Sequence, residues 1–231
     1  MFDNCSQLPT VPESMPLTQE ASTLTLDDVH RLLKLEAQLD GSFTDLLTLE
    51  PLTEFEQQDL LRIRNDFRRY LAAGKVSEGL IKFLTLAPLM RLAGFYETPI
   101  RLSMEDSIAI SVEDEDIKIT GRMDILAVNT ELGTTAPLWI LVIETKNSAF
   151  EVFVGLPQLL TYAFKSLEQQ ASVWGLVTNG LRYQFVQLRR GNPPTYQLMP
   201  ELNLIDRDRS IQLLQVFKAI CQIQNVQLQL V

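Results

Sequence analysis

The sequence predicts an α/β fold, a mixed β-sheet covered by helices on both faces. Three observations carry that expectation. Between Pro99 and Lys146 the chain reads as three strands. A helical stretch from Gly155 then separates them from two further strands joined at Asn179-Gly180, the strongest short hairpin signal a sequence offers. Amphipathic helical patterns stand at both ends of the chain.

Taken in order, residues 1–21 read as a flexible tail, polar and carrying Pro9, Pro12 and Pro16. They lack the basic-then-apolar pattern of a secretory signal. Residues 22–74 read as an added N-terminal helical segment. Leu24, Leu26, Val29, Leu32, Leu33, Leu35 and Leu39 recur at helical spacing over 22–40, and Gly41 breaks the pattern. Thr53-Glu54-Phe55-Glu56 opens a second helix after Pro51, running to about Ala73 and stopped by Gly74. Residues 75–231 form the predicted main domain. Ser77 is a plausible N-cap for a helix over 78–93, which Pro88 is expected to kink or cut short. Strands are predicted over 100–112, 116–128 and 138–146, separated by the acidic turn Glu113-Asp114-Glu115-Asp116 and by Glu131-Leu132-Gly133. A helix follows over 155–169, with Pro157 tolerable in its first turn. Strands at 172–178 and 182–188 come next, then an edge strand near Tyr196-Gln197-Leu198. A final helix over 208–226 carries a stripe of Ile211, Leu214, Phe217, Cys221 and Gln224 suited to a core.

Composition narrows the functional classes. With 231 residues, 46% apolar and 21% charged, the chain can bury a sizeable core. No window reaches the roughly 18 uninterrupted apolar residues of a membrane helix, so no membrane partner is expected. Cys5 in the tail and Cys221 in a helix do not make a disulfide framework, and a reducing cytoplasm fits. The single histidine, His30, excludes His-based triads and most transition-metal sites, and it reads as a solvated helix residue. No phosphate-cradling G-x-x-x-x-G-K-[ST] loop is present, so no ATP-driven activity is expected. The formal charge of −9 argues against nucleic acid, because phosphate neutralisation supplies much of such affinity. Against that, Arg62, Arg64, Arg68 and Arg69 cluster, as do Arg182, Arg189 and Arg190. The plain reading of the first cluster is a wet helix face.

One constellation stands out. Leu138 to Ile143 is an apolar run that ends in Glu144-Thr145-Lys146. Residues i and i+2 of a strand share a side, so Glu144 and Lys146 point the same way. Burying two opposite charges there costs several kcal/mol unless they are paired or bind a metal. Asp124 closes Gly121-Arg122-Met123-Asp124 upstream, and Arg122 shares its face by the same alternation, which makes it a candidate ion-pair partner of Asp124 as an alternative to a phosphate ligand. Two carboxylates and a lysine at one point suit metal-dependent phosphodiester cleavage. Mg²⁺ takes hard oxygen ligands and keeps several waters, so Asp124 and Glu144 suffice to hold it. The metal makes a bound water nucleophilic, while Lys146 orients that water and offsets phosphate charge. From spacing alone, a strand-end ion pair with Asp124 capping a loop is an equally good reading.

Four stretches together resemble the PD-(D/E)xK nuclease superfamily, especially the nuclease domains of Type I restriction enzyme R subunits. They are Gly121 to Asp124, Glu144-Thr145-Lys146, Gln158-Leu159-Leu160-Thr161-Tyr162, and Trp174 to Gly180. No proline precedes Asp124, where the family's first motif has one. The resemblance spans about residues 78–190 and implies a restriction-endonuclease-like sheet and Mg²⁺-dependent hydrolysis of DNA, with Mn²⁺ able to substitute. It implies catalytic Asp124, Glu144, Lys146 and Gln158, with the Thr145 backbone carbonyl and Glu78 as further metal ligands. Gln158 and Tyr162, at i and i+4, share a helix face. Tyr162 and Arg122 are then candidate contacts to the substrate backbone, though a satisfied core-edge pair of Gln158 and Tyr162 is equally expected. Many relatives are dimers, so a homodimer or a separate protein partner is expected. Two rivals remain: a catalytically inactive module acting through protein interaction, and a nuclease acting on RNA or single strands.

Overall fold

The computed structural model describes residues 17–38, 41–130 and 137–227. Its sheet is built on the long hairpin that follows Pro99. β3 (Ile100–Val112) runs antiparallel to β4 (Ile117–Asn129), and β5 (Leu138–Thr145) pairs antiparallel with the second half of β4. The chain then crosses through α5 (Leu156–Ser166) and returns as β6 (Ser172–Thr178), parallel to β5. β7 (Arg182–Arg189) follows as a hairpin, closed where Gly180 takes a φ of +83°. A Cβ on Gly180 would stand 2.6 Å from Phe67 and 2.9 Å from Ile81, so the turn needs glycine for space as well as for φ.

Short strands complete the layer. β8 (Thr195–Leu198) pairs with β7, but it is not an edge. β2 (Glu36–Gln38) runs parallel to it on the outside. β9 (Leu202–Asn203) pairs with the other end of β7. With β1 over Leu17–Glu20, the strand order among the described residues is β1-β4-β5-β6-β7-β8-β2, with β3 beside β4.

Helices cover both faces, as the alternation of strands and helices predicts. On one face α2 (Glu54–Ala72), the helix over 78–93 and α6 (Arg207–Gln227) pack on Ile125, Ala127, Ile143, Leu176 and Phe185. On the other, α1 (Leu26–Leu33) and α5 pack on Ile119, Val142, Val177 and Leu188. Within residues 22–74, α1 joins one core and α2 the other. Both helices open on capping boxes, Thr25 with Asp28 and Thr53 with Glu56, which satisfy two orphan N–H groups each.

Several elements depart from the expected boundaries. Residues 17–20, placed in the tail, form β1 (Leu17–Glu20), parallel to the first half of β4, with Ala21 buried behind it. The expected helix over 22–40 shortens to 26–33. Lys34 enters the left-handed region at φ 51°, and the chain leaves to pair as β2. Leu35 keeps the apolar stripe buried without helical geometry. The helix over 78–93 holds its limits but is interrupted: α3 (Glu78–Ile81), a π turn (Lys82–Leu86) and α4 (Ala87–Ala93). Pro88 has no N–H for the carbonyl four residues back, and Ala87 just before it donates five residues back, to the Lys82 carbonyl.

The acidic turn is exposed over 114–116, as a solvated turn would be, and there Asp114 pairs with Lys34 and Glu115 with Arg31 on α1. His30 is half-buried rather than solvated, stacked on Tyr196 with its Nε2 3.0 Å from the tyrosine oxygen. Cys5 and the expected turn at Glu131-Leu132-Gly133 lie outside the described residues.

Candidate functional site

The site grows from a break in the pairing of β4. On the edge facing away from β3, β1 takes Ile117–Thr120 and β5 takes Ile125–Asn129. Gly121 to Asp124 lie between those two ladders. The ladder with β3 also skips one position, passing from Met104↔Ile125 to Asp106↔Met123. The skipped residues are Glu105, at φ 60°, and Asp124. The core alternation switches here. Ile117, Ile119 and Met123 face the α5 layer, whereas Ile125 and Ala127 face the α2 layer. Asp124 sits at the change of face, where the rule that i and i+2 share a side no longer holds.

Into this opening comes the end of β5. Asp124 Oδ2 accepts the Thr145 N–H at 2.6 Å and the Thr145 hydroxyl at 2.5 Å, and its Oδ1 meets Lys82 Nζ at 2.5 Å. Glu144 is 3% exposed, and its Oε1 accepts from Lys146 Nζ at 2.8 Å. Its second oxygen, Oε2, is buried with no partner. Lys146 Nζ donates again to Gln158 Oε1 at 2.9 Å. Gln158 Nε2 donates to the Tyr162 hydroxyl at 2.9 Å, which also accepts the Arg122 N–H at 3.1 Å, one of the groups the gap in β4 leaves free. A continuous chain of polar contacts thus runs from Glu144 through Lys146, Gln158 and Tyr162 back to β4.

Two glycines make the packing of that chain feasible. A Cβ on Gly121 would lie 2.6 Å from the Tyr162 hydroxyl. One on Gly155 would lie 2.7 Å from Val177, 3.1 Å from Lys146 Cε and 3.4 Å from Glu144 Cγ. The first and third motifs are therefore in contact, and the turn before α5 lies against Glu144 and Lys146.

The electrostatics follow from burial. Desolvation, reinforced by the Asp124 charge and more weakly by Glu78, pushes the Glu144 carboxyl up to about 7; Lys146 opposes this. Burial works against a charged Lys82, but its hydrogen bond to Asp124 and the charges of Asp124 and Glu105 outweigh it and hold its pKa above the usual lysine value. Burial likewise raises the Tyr162 phenol.

The structure thus brings together Asp124, Glu144, Thr145, Lys146, Gln158 and Tyr162. Glu78 is at the N-terminus of α3, near enough for its charge to act on Glu144. Arg122 does not partner Asp124. It is mostly exposed, with Nε 3.5 Å from Glu105 Oε2, because the change of face turns it away. Tyr162 is 1% exposed, so it packs and positions rather than offering a surface to a substrate. Sequence reasoning misses Lys82 and Glu105: Lys82 reads as the polar face of an amphipathic helix, and Glu105 as a solvent-facing strand residue.

Within the arginine cluster on α2, Arg62 meets Asp59 and Arg69 meets Asp66 on the exposed helix face, and Arg64 donates to the Ile205 carbonyl. Arg182 pairs with Glu151 and Glu201.

Among the described residues no group of three or more His, Cys, Asp or Glu side chains is gathered as a ready cation cage. The site offers two carboxylates instead, one with a buried unpartnered oxygen. That donor set fits a hard divalent cation that keeps most of its waters. No protein-family profile matches the chain, and no curated protein is significantly similar to it.

Proposed function

We propose that the chain is a divalent-metal-dependent nuclease of restriction-endonuclease-like fold that hydrolyses DNA phosphodiester bonds without intrinsic sequence specificity. The observation that carries this reading is Glu144 Oε2, a buried carboxylate oxygen without a partner, on a side chain bonded to Lys146 and close enough to feel the charge of Asp124. Orphaned acceptors of this kind are costly and call for an explanation. Asp124 and Glu144 would hold Mg²⁺ or Mn²⁺, with Glu78 reaching it through water. Thr145 is seen donating to Asp124, which orients that carboxylate. When bound, the metal supplies a water activated at neutral pH and positive charge against the phosphate.

The side chains supply the rest. Lys146 is held by two acceptors, Glu144 and Gln158, leaving a third N–H to donate to a phosphate oxygen. Gln158 is kept with its carbonyl toward Lys146 because its amide nitrogen donates to Tyr162. Preorganised donors of this sort stabilise charge without reorganising during reaction.

A second reading, a catalytically inactive module acting through protein interaction, draws on one specific observation. Both carboxylates already have a lysine, Asp124 with Lys82 and Glu144 with Lys146. The chain's charge of −9 suits a protein partner better than DNA. Cleavage of supercoiled plasmid and single-stranded DNA in Mg²⁺ or Mn²⁺, with Lys146→Ala alongside, separates the two. The nuclease reading expects cleavage that the variant loses while keeping a metal-induced rise in melting temperature. Absence of both cleavage and thermal shift in the wild type would favour the module.

A further inference from the structure

The loop from Lys146 to Gly155 carries Phe150 and Phe153, 50% and 53% exposed, with Val154 exposed beside them. Apolar side chains on a loose surface loop need no explanation, but this loop is tied down along its length. Val76 exchanges bonds with Ser148 in both directions, N–H to Oγ at 2.8 Å and N–H to carbonyl at 3.0 Å. The Asn179 side chain donates to the Phe150 carbonyl at 2.9 Å, and Arg182 pairs with Glu151 at 3.1 Å. Val152 is fully buried as an anchor, and the Val154 N–H closes a turn on the Glu151 carbonyl. The loop ends at Gly155, which packs on the side chains of Glu144 and Lys146.

Two half-exposed phenyl rings thus stand on a fixed backbone, on the segment joining the lysine of the site to the glycine lying over it. We propose that Phe150 and Phe153 form a stacking platform for unpaired bases, so that the site acts on single-stranded or frayed DNA. The inference rests on the nuclease reading above and names its substrate form. Stacking on an aromatic face is open only to bases freed from pairing, and it tolerates any sequence because every base has a π-face. The placement suits this, since a strand whose phosphate meets Lys146 lies beside the same loop. A protein-docking surface would call for a contiguous apolar patch. Here Glu151, an exposed acid engaged with Arg182, and the buried Val152 separate Phe150 from Phe153 along the chain, with Val154 as a third exposed apolar side chain.

The test compares wild type, Phe150→Ala/Phe153→Ala and Phe153→Trp. It uses anisotropy of labelled oligothymidine and of a matched duplex, cleavage of both in Mg²⁺ and Mn²⁺, and sedimentation. The expected result is tighter binding to the strand than to the duplex. The double alanine variant should bind the strand roughly ten-fold or more weakly, with duplex binding little changed. Phe153→Trp should keep strand binding, and oligothymidine should quench its fluorescence. Wild-type cleavage of strand and duplex alike, unaffected by the alanine substitutions, overturns the platform while leaving the nuclease reading standing. Neither binding nor cleavage by wild type overturns both. A double variant that breaks a dimer without altering strand binding assigns the rings to a protein contact and also overturns the platform.

Discussion

Replacing Glu144 by glutamine tests the electrostatic argument at its centre, without any assumption about substrate. The carboxyl titrates near 4.5 when free and at about 7 in the fold. At about 1.36 kcal/mol for each pH unit between those values, the difference amounts to about 3 kcal/mol. The sign follows from which state holds the proton. Below 4.5 both folded and unfolded chains keep it, and there is no penalty. Between 4.5 and about 7 the unfolded chain releases it while the fold retains it, so stability falls as pH rises. Above that range the penalty is complete. The glutamine side chain has no proton to lose in that range and can still accept from Lys146.

In metal-free buffer with a chelator, Glu144→Gln should therefore match wild type at the acid end and gain steadily through that window. At alkaline pH the gain should reach about 3 kcal/mol, or roughly 6–12 °C in melting temperature for a domain of this size. Urea unfolding across the range reads it directly. Adding Mg²⁺ should reverse the order, because only the ionised wild-type carboxylate gains from the cation. A constant difference between the two proteins at every pH would refute the reasoning, since it would mean that burial places no burden on this carboxylate.

Two further substitutions probe how the site is held. Tyr162→Phe removes the hydroxyl that joins Gln158 to the Arg122 N–H; it should cost about 1–3 kcal/mol of stability and lower kcat with KM nearly unchanged, both read by unfolding and steady-state assays. Gly155→Ala brings a methyl 2.7 Å from Val177 and 3.1 Å from Lys146 Cε; it should reduce cleavage far more than melting temperature, and equal losses would show that the glycine serves only packing.

The sequence exposes the strands and the site to different degrees, for physical reasons. β3, β4 and β5 are readable because each is a long β-rich run bounded by turn residues, and β6 and β7 because Asn179-Gly180 marks their hairpin. Gln158 and Tyr162 are readable as a pair because helical spacing survives tertiary contact. β1 and β2 are hidden: four and three residues in length, they exist only as partners of β4 and β8. No local pattern announces a strand whose pairing is supplied by residues far along the chain.

The failure at Arg122 has the same origin as the site itself. Strand alternation assigns Arg122 to Asp124, and it would do so correctly in an unbroken ladder. The ladder breaks at Glu105 and Asp124, and the core faces exchange there. The gap between the β1 and β5 ladders leaves the Arg122 N–H to Tyr162, and the break lets Asp124 turn to Thr145. It also admits Lys82 from a helix on one face, while Gln158 approaches from the other. A regular strand would have kept Asp124 in a single layer, within reach of one set of helices. The irregularity that defeats the sequence rule is the feature that lets groups from both layers converge. Lys82 in turn reaches Asp124 from the π turn that stands just before Pro88, so the kink expected at that proline lies in the segment that supplies the site's second lysine.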